Sequence, residues 1–277
     1  MDVERAVAQH YTHGALEQAI LDALVASGKD PAHLVPADLS PVDEFHIGGR
    51  QATADLAAQL PIQPGWHLLD IGSGLGGASR YFAHEHQCRV SGIDLTDDYV
   101  QVAASLAQRV GLADKVDYRQ GSALSIPFPD HRFDGAYMLH VGMNIEDKAR
   151  LFREVRRVLK PGGVFAIYDV MRGSEAGDLA FPVPWATTAE TSFVASAATY
   201  RTLLQDAGFV VEAERGRRDF AIEFFRQMRA RAAAAGGPLP LGLHILMGAT
   251  APQKAANMTE NLQKGLIVPT EIICRPQ

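Results

Sequence analysis

Two carboxylates flank a glycine-rich run in this sequence, and their spacing suits a ligand that carries a sugar. The run is Leu68-Leu69-Asp70-Ile71-Gly72-Ser73-Gly74-Leu75-Gly76-Gly77. It reads as an apolar strand, a tight turn and the start of a helix. Glycine allows positive φ and lets the backbone come close to a ligand. Asp94 lies near the end of the next apolar run, RVSGIDL (89–95). A carboxylate there can accept hydrogen bonds from both hydroxyls of a ribose. Gly72, Gly74 and Gly77 also satisfy the G-x-G-x-x-G spacing of dinucleotide sites, with an acidic residue about 20 positions on. The turn alone therefore leaves a nicotinamide- or flavin-linked oxidoreductase open.

Proton transfer is the second chemistry within reach. Histidine, with an ordinary pKa of about 6.5, is the natural side chain for it. Of the ten histidines, His140 ends an apolar run, FDGAYMLHV (133–141), at the carboxyl end of an expected parallel strand, where open α/β sheets place ligands. His46 lies in EFHIGGR (44–50), where two glycines permit close backbone approach. His84 and His86 are expected to be solvated on a helix, and His67 structural within a strand. Tyr11 lies in an N-terminal helical segment able to fold over a site. Trp185 and Phe193 follow the last core strand and could wall an acceptor pocket or box a cation. The arginines at 215, 217 and 218 read as a solvated strand end, and Met247 and Met258 as packing residues.

The elements that must position these residues follow from periodicity. Apolar residues recur at helical spacing from Val3 to about Ser27, with a break expected at Gly14, and residues 29–49 read as a proline-containing loop. A helix over 51–60 precedes strands at 66–71, 89–95, 116–121, 133–141 and 164–170. Helices at 78–86, 97–112 and 148–160 alternate with them, the last stopped by Pro161-Gly162-Gly163. A helix near 197–207, a strand at 208–216, helical segments over about 219–264 and a strand at 268–275 complete the chain. This order implies an α/β fold of Rossmann-like type. It has a seven-stranded, mostly parallel sheet with helices on both faces and an antiparallel C-terminal strand. Residues 1–60 form an N-terminal helical arm. Residues 61–277 form the main domain, with a helical insertion before the last strand.

Composition narrows the function. The net charge is −6 and the pI about 5.9, a poor balance for a nucleic-acid partner. Cys88 and Cys274 lie in no paired motif, so no metal is expected. No apolar run reaches the ~20 residues of a membrane span. The expectation is a cytoplasmic protein acting on a small molecule, with a homodimer allowed.

Three features weigh toward S-adenosylmethionine (SAM) over a dinucleotide. Asp70, two residues before Gly72, suits an ammonium group and would repel a pyrophosphate. About sixty residues precede the first strand, and the chain ends in two strands separated by an insertion. Residues of about 60–172 resemble the core of the class I SAM-dependent methyltransferases: LLDIGSGLGG, GIDL (92–95), FDGAYMLHV and VLKPGGVFAIYDV (158–170) match its successive motifs. With EFHIGGR ahead of this core, the chain resembles the small-molecule branch. That branch includes sarcosine/dimethylglycine N-methyltransferases, phosphoethanolamine methyltransferases, ubiquinone/menaquinone-type C-methyltransferases and terpenoid or sterol C-methyltransferases.

The resemblance implies methyl transfer to a small-molecule acceptor, with an amine nitrogen expected. C- or O-methylation of a quinone, terpenoid or other secondary metabolite is the alternative, and S-adenosylhomocysteine is the product. A SAM-binding protein without catalysis is the competing class beside the oxidoreductase. Asp70, Gly72, Ser73 and Gly74 would line the methionine end of SAM, Asp94 the ribose, and Leu95, Ser122 and Ala123 the adenine. His140 would face the sulfonium and acceptor. Catalytic candidates are His140, His46 and Tyr11, and substrate-binding candidates Trp185 and Phe193.

Asp94→Ala is expected to weaken SAM binding by roughly 1.5–3 kcal/mol for each ribose hydrogen bond lost to the charged group. Titration calorimetry checks it, and unchanged affinity would remove Asp94 from the site.

Overall fold

Strands form where apolar residues run without interruption, because a parallel sheet is covered on both faces. The computed structural model describes residues 3–12 and 15–277. The expected break at Gly14 lies outside the described residues. Strands β1 (His67–Ile71), β2 (Arg89–Asp94), β3 (Val116–Gln120), β4 (Phe133–Leu139), β5 (Leu159–Arg172), β6 (Phe209–Gly216) and β7 (Ile267–Pro276) form one sheet. Its order is β3-β2-β1-β4-β5-β7-β6. Only β7 runs antiparallel to its neighbours, as expected for the C-terminal strand. The central strands are almost wholly buried, whereas the edge strands β3 and β6 expose most of their residues.

Alternate residues of β1 feed opposite layers, as strand geometry requires. Leu69 packs with helix α7 (Lys148–Val158) and helix α8 (Ala197–Asp206) on one face. Leu68 packs with α4 (Gly49–Ala57), α5 (Gly77–Glu85) and α6 (Asp97–Arg109) on the other. The chain winds outward from β1 to β3 and then crosses to β4 on the other side of β1. A crevice therefore opens beyond the carboxyl ends of β1 and β4.

Outside the sheet lie α1 (Val3–Tyr11), α2 (Leu16–Ala26) and α3 (Pro36–Asp43) at the front of the chain. Helices α9 (Arg218–Ala234), α10 (His244–Met247) and α11 (Ala251–Gln263) stand between β6 and β7, so the expected insertion is present and helical. Helix α3 corrects the expected loop over 29–49. Its prolines do not break it, for separate reasons. Pro36 sits in the first turn, where no intrahelical donor is needed. Pro41 lacks the N–H that would reach the Ala37 carbonyl, and the Ser40 hydroxyl donates to that carbonyl instead, at 2.9 Å. A second correction concerns α7, which ends at Val158, before the Pro-Gly-Gly run. Leu159 is already extended and pairs with Phe133, and a register shift precedes the Gly135–Val164 pair.

Two buried arginines fasten the added helices to the sheet layer. Arg80 on α5 donates to Asp43 at the end of α3 at 2.6 Å, both side chains nearly inaccessible. Arg217 joins Glu271 on β7 and Asp55 on α4, and its guanidinium lies 3.9 Å over the Phe220 ring. Arg217 is thus a buried clamp, which corrects its reading as a solvated strand end. Its partners come from α4 and β7, too far away in sequence for a local pattern to show.

Asp43→Ala leaves the Arg80 charge buried without its partner and should cost about 3–5 kcal/mol. Urea unfolding measures it, and the double variant Asp43→Leu/Arg80→Met should recover most of the loss.

Candidate functional site

The turn after β1 is shaped from across the sheet. The N–H groups of Gly72 and Ser73 donate to the Ile93 carbonyl of β2 at 2.8 and 2.9 Å. The next N–H, of Gly74, donates to the Asp94 carboxylate at 2.8 Å, and Thr96 N–H donates to the same carboxylate at 2.9 Å. Glycine is required at 72 twice over: φ is +70°, and a Cβ would lie 2.4 Å from a Val141 methyl. Gly74 has φ +52° with nothing within 4 Å of a would-be Cβ. Its open side faces the crevice.

That crevice is a deep cleft, and most of the residues expected to line it do so. Asp70, Gly72, Ser73, Gly74, Asp94 and Leu95 share it with Ala123, His140, His46, Tyr11 and Trp185. The three segments outside the core roof it: Val3 and Val7 from α1, Pro184 from the Trp185 loop, and Phe224, Phe225 and Met258 from the insertion. Met247 and Met258, read as packing residues, therefore also line the cleft.

Two expected residues do not. Ser122 is absent from the lining and its hydroxyl donates to the Glu4 carboxylate. Glu4 itself lines the cleft, so the acid beside Leu95 and Ala123 comes from α1. Phe193 is also absent from the lining. Its backbone N–H donates to the Met143 carbonyl at 2.7 Å and its carbonyl accepts from the Lys148 ammonium at 2.6 Å. It pins the loop, and Trp185 alone of that pair reaches the cleft. His67 is structural as expected: its ring nitrogen pairs with Ser91 Oγ at 2.9 Å inside the sheet.

Burial pushes several polar groups of the wall toward their neutral forms. His46 is pushed down to about 4, and its Nε2 donates to the Gly49 carbonyl at 3.1 Å. His140 is pushed well below the usual histidine range by burial and then by His46, whose ring centroid lies 6.0 Å away. His140 sits at φ +55°. A non-glycine residue in that region stores of order 1–3 kcal/mol of strain and clusters at functional sites. Its N–H donates to the Tyr168 carbonyl at 2.7 Å while its Nε2, buried, has no hydrogen-bond partner. Tyr11 donates to Asn144 Oδ1 at 3.1 Å, and burial raises its pKa, so its hydroxyl stays protonated and acts as a donor.

Three cleft residues escaped the sequence reading. Glu44 opens the EFHIGGR run, and burial together with the Asp43 carboxylate raises it to about 8. Thr53 donates to it at 2.7 Å and its second oxygen has no partner. Asn144 follows β4 and holds Tyr11, the Trp185 carbonyl at 2.9 Å and the Thr191 carbonyl at 3.1 Å. Its place one turn past His140 was the available signal. Glu4 carried none, because its relevance arises only where α1 meets the strand ends.

The residues present fit SAM. Asp70 is 2% exposed, accepts from Ser79 at 2.6 Å, and is raised to about 7 by burial. It can pair with an ammonium group in the cleft. The Ser73 hydroxyl is buried without a partner, and Gly74 presents an open backbone face. No lysine or arginine is among the described lining residues, so a pyrophosphate would lack a counter-charge.

Residues 69–167 match the family model described as a methyltransferase domain. A sterol 24-C-methyltransferase of Gibberella zeae is 36% identical over 114 residues, 41% of this chain. The chain spans only 30% of that relative's length. Other curated matches bear the names of O- and N-methyltransferases, so the acceptor atom is not selected by likeness. Among solved structures, geranyl diphosphate C-methyltransferase from Streptomyces coelicolor superposes with a TM-score of 0.72. It has 16% identity over 100% of this chain and 98% of that one, and was solved with S-adenosyl-L-homocysteine. The [4+2]-cyclase SpnF superposes at 0.69 with 23% identity over 99% and 96%. At these identities the likeness is one of fold.

Glu44 is protonated in the folded state up to about pH 8 and in the unfolded chain only to about 4.5. Its contribution to stability is full below 4.5 and is lost as pH rises toward 8. Glu44→Gln should therefore gain on the wild type across that window, by up to ~1.4 kcal/mol per pH unit. Urea unfolding at pH 5, 6.5 and 8 measures the difference, and a constant gap would place Glu44 outside a neutral wall.

Proposed function

We propose that the chain, whose residues 69–167 match the methyltransferase-domain model, is a class I SAM-dependent methyltransferase that transfers the methyl group of SAM to a small-molecule acceptor. The observation that carries this reading is convergence. The Gly72–Gly74 turn, Asp70, Asp94 and His140, whose buried Nε2 has no protein partner, all line one cleft roofed by elements from outside the core.

SAM, when bound, supplies a methyl group already activated by a sulfonium. The chain's own residues have to orient, exclude water and handle a proton. Asp70 would hold the ammonium group and Asp94 the ribose hydroxyls, with the Gly74 backbone beneath them. Glu4 stands where a base amino group would need an acceptor. The roof from α1, Trp185 and the insertion keeps water from the reacting atoms. His140 Nε2, free of other hydrogen bonds, would accept the proton of a hydroxyl or acidic C–H as that acceptor atom becomes nucleophilic. Its burial makes it a weak base, which suits proton transfer concerted with attack better than prior deprotonation. Tyr11 and His46 position the site: one donates to Asn144 and the other to Gly49.

The Asp70 carboxyl, at about 7, ties cofactor affinity to pH. Pairing with an ammonium group needs the carboxylate, so below pH 7 binding must release a proton. SAM affinity should fall as pH drops below 7, by up to ~tenfold per unit. Calorimetry in buffers of differing ionisation enthalpy should show that proton release, and Asp70→Asn should abolish it. SAM binding indifferent to pH would remove Asp70 from the ammonium group. Binding of NAD in preference to SAM would sink the functional reading, and SAM binding without turnover of any acceptor would favour a non-catalytic SAM-binding protein.

A further inference from the structure

The acceptor side of the cleft has a distinctive chemistry. Met143, Trp185, Phe225, Leu246 and Met258 give it a thioether, aromatic and aliphatic lining. Thioethers and aromatic rings make adaptable apolar walls with no hydrogen-bonding requirement of their own.

Charge is distributed one way only. Seven carboxyl-bearing residues line the cleft (Glu4, Asp43, Glu44, Asp70, Asp94, Glu146 and Asp147) and, among the described residues, no lysine or arginine does. Lys148, next to the acidic pair 146–147, is committed elsewhere: its ammonium donates to the carbonyls of Ile145 and Phe193 at 2.7 and 2.6 Å. The described residues also include no cluster of three or more His, Cys, Asp or Glu that could hold a metal ion. An anionic group entering this space would be stripped of water with nothing to pair with, and burying an unpaired charge is strongly unfavourable. Four of the described lining residues carry a buried side-chain atom without a partner: Glu44 Oε1, Ser73 Oγ, Tyr99 Oη and His140 Nε2. Of these only the His140 nitrogen is a base of the kind a proton transfer needs.

Resting on the methyltransferase reading, we propose that the acceptor is a largely apolar molecule that carries no anionic group and presents a hydroxyl or enolic group to His140, and that phosphate, diphosphate and carboxylate acceptors are excluded. This weighs against the zwitterionic amino-acid and phosphorylated amine acceptors of the small-molecule branch. It favours methyl transfer to oxygen or to an activated carbon. In transfer to oxygen, the acceptor O–H proton passes to His140 Nε2, the new O–CH3 bond forms as the S–CH3 bond breaks, and S-adenosylhomocysteine leaves as a neutral thioether.

The test uses the full chain loaded with S-adenosylhomocysteine and the neutral dye Nile red. Matched competitors share a skeleton and differ in charge: geraniol against geranyl diphosphate, 2-naphthol against 2-naphthoate, with dimethylglycine as the amine. Nile red should bind, geraniol and 2-naphthol should displace it, and their charged partners should need at least hundredfold higher concentration. Met228→Lys places a cation at a half-exposed lining position of α9 and should narrow that gap at least tenfold, with S-adenosylhomocysteine affinity unchanged. Equal displacement by neutral and anionic partners, failure of the neutral ones, or failure of Nile red to bind would overturn the proposal. Failure of the wild type to bind S-adenosylhomocysteine would instead overturn the functional reading, and calorimetry detects it before any dye is added.

Discussion

The site depends on one hydrogen-bonding arrangement across the first two strands. Three consecutive N–H groups of the turn, from Gly72 to Gly74, all point at the end of β2, two to the Ile93 carbonyl and one to the Asp94 carboxylate. Buried donors without partners are costly, so this pattern fixes the turn before any ligand arrives. It has a consequence for Asp94. The carboxylate that would receive a ribose is also the acceptor that holds the backbone, and one residue couples the shape of the turn to the ligand it would serve. Val141 closes against Gly72 from the β4 side, so the turn is set between both neighbours of β1.

Burial then sets the chemistry of the surrounding groups. Desolvation raises Asp70 and Glu44 and lowers His46 and His140. Titratable residues with opposite ordinary charges are thereby driven toward the same neutral state. A wall of neutral donors and acceptors can orient a polar atom without demanding a counter-ion. Asp70 differs from the others because its position at the end of β1 offers a ligand cation the chance to restore its charge. Asp70 is thus the buried carboxyl of the cleft whose charge a ligand cation could restore.

The added helices complete the site, and their attachment explains how. Arg80–Asp43 binds the front of the chain to the helix that leaves the glycine turn, and Arg217 binds the insertion to α4 and β7. Leu16, Ile20 and Leu39 pack with Tyr99, Leu106 and Leu246, so arm, core helix and insertion share one apolar cluster. Ile47, Trp185, Phe225 and Met258 form another beside the cleft. The roof is thus continuous with packed structure, and Trp185, 2% exposed with its indole N–H on Ser192 at 2.9 Å, belongs to both.

The sequence by itself determined the sheet, the glycine turn and the positions of Asp70, Asp94 and His140. These features arise within short windows: apolar runs set by double-sided burial, glycines demanded by positive φ, and residues placed at strand ends by chain order. The helix at 36–43 was hidden because its prolines carry a breaker signal that Pro36's first-turn position and the Ser40 hydroxyl cancel locally. What only the tertiary structure decided is which distant groups meet. Glu4 and not Ser122 lines the cleft because the fold brings α1 to Ser122, just past β3, and no periodicity encodes that meeting. Phe193 and Trp185 are equally aromatic in the sequence, yet the Met143 and Lys148 contacts accompany one away from the lining while the other reaches it. The neutral state of Glu44 follows from the same cause. Desolvation is a property of everything packed around a group, and it comes into being only when segments far apart in the chain close over it.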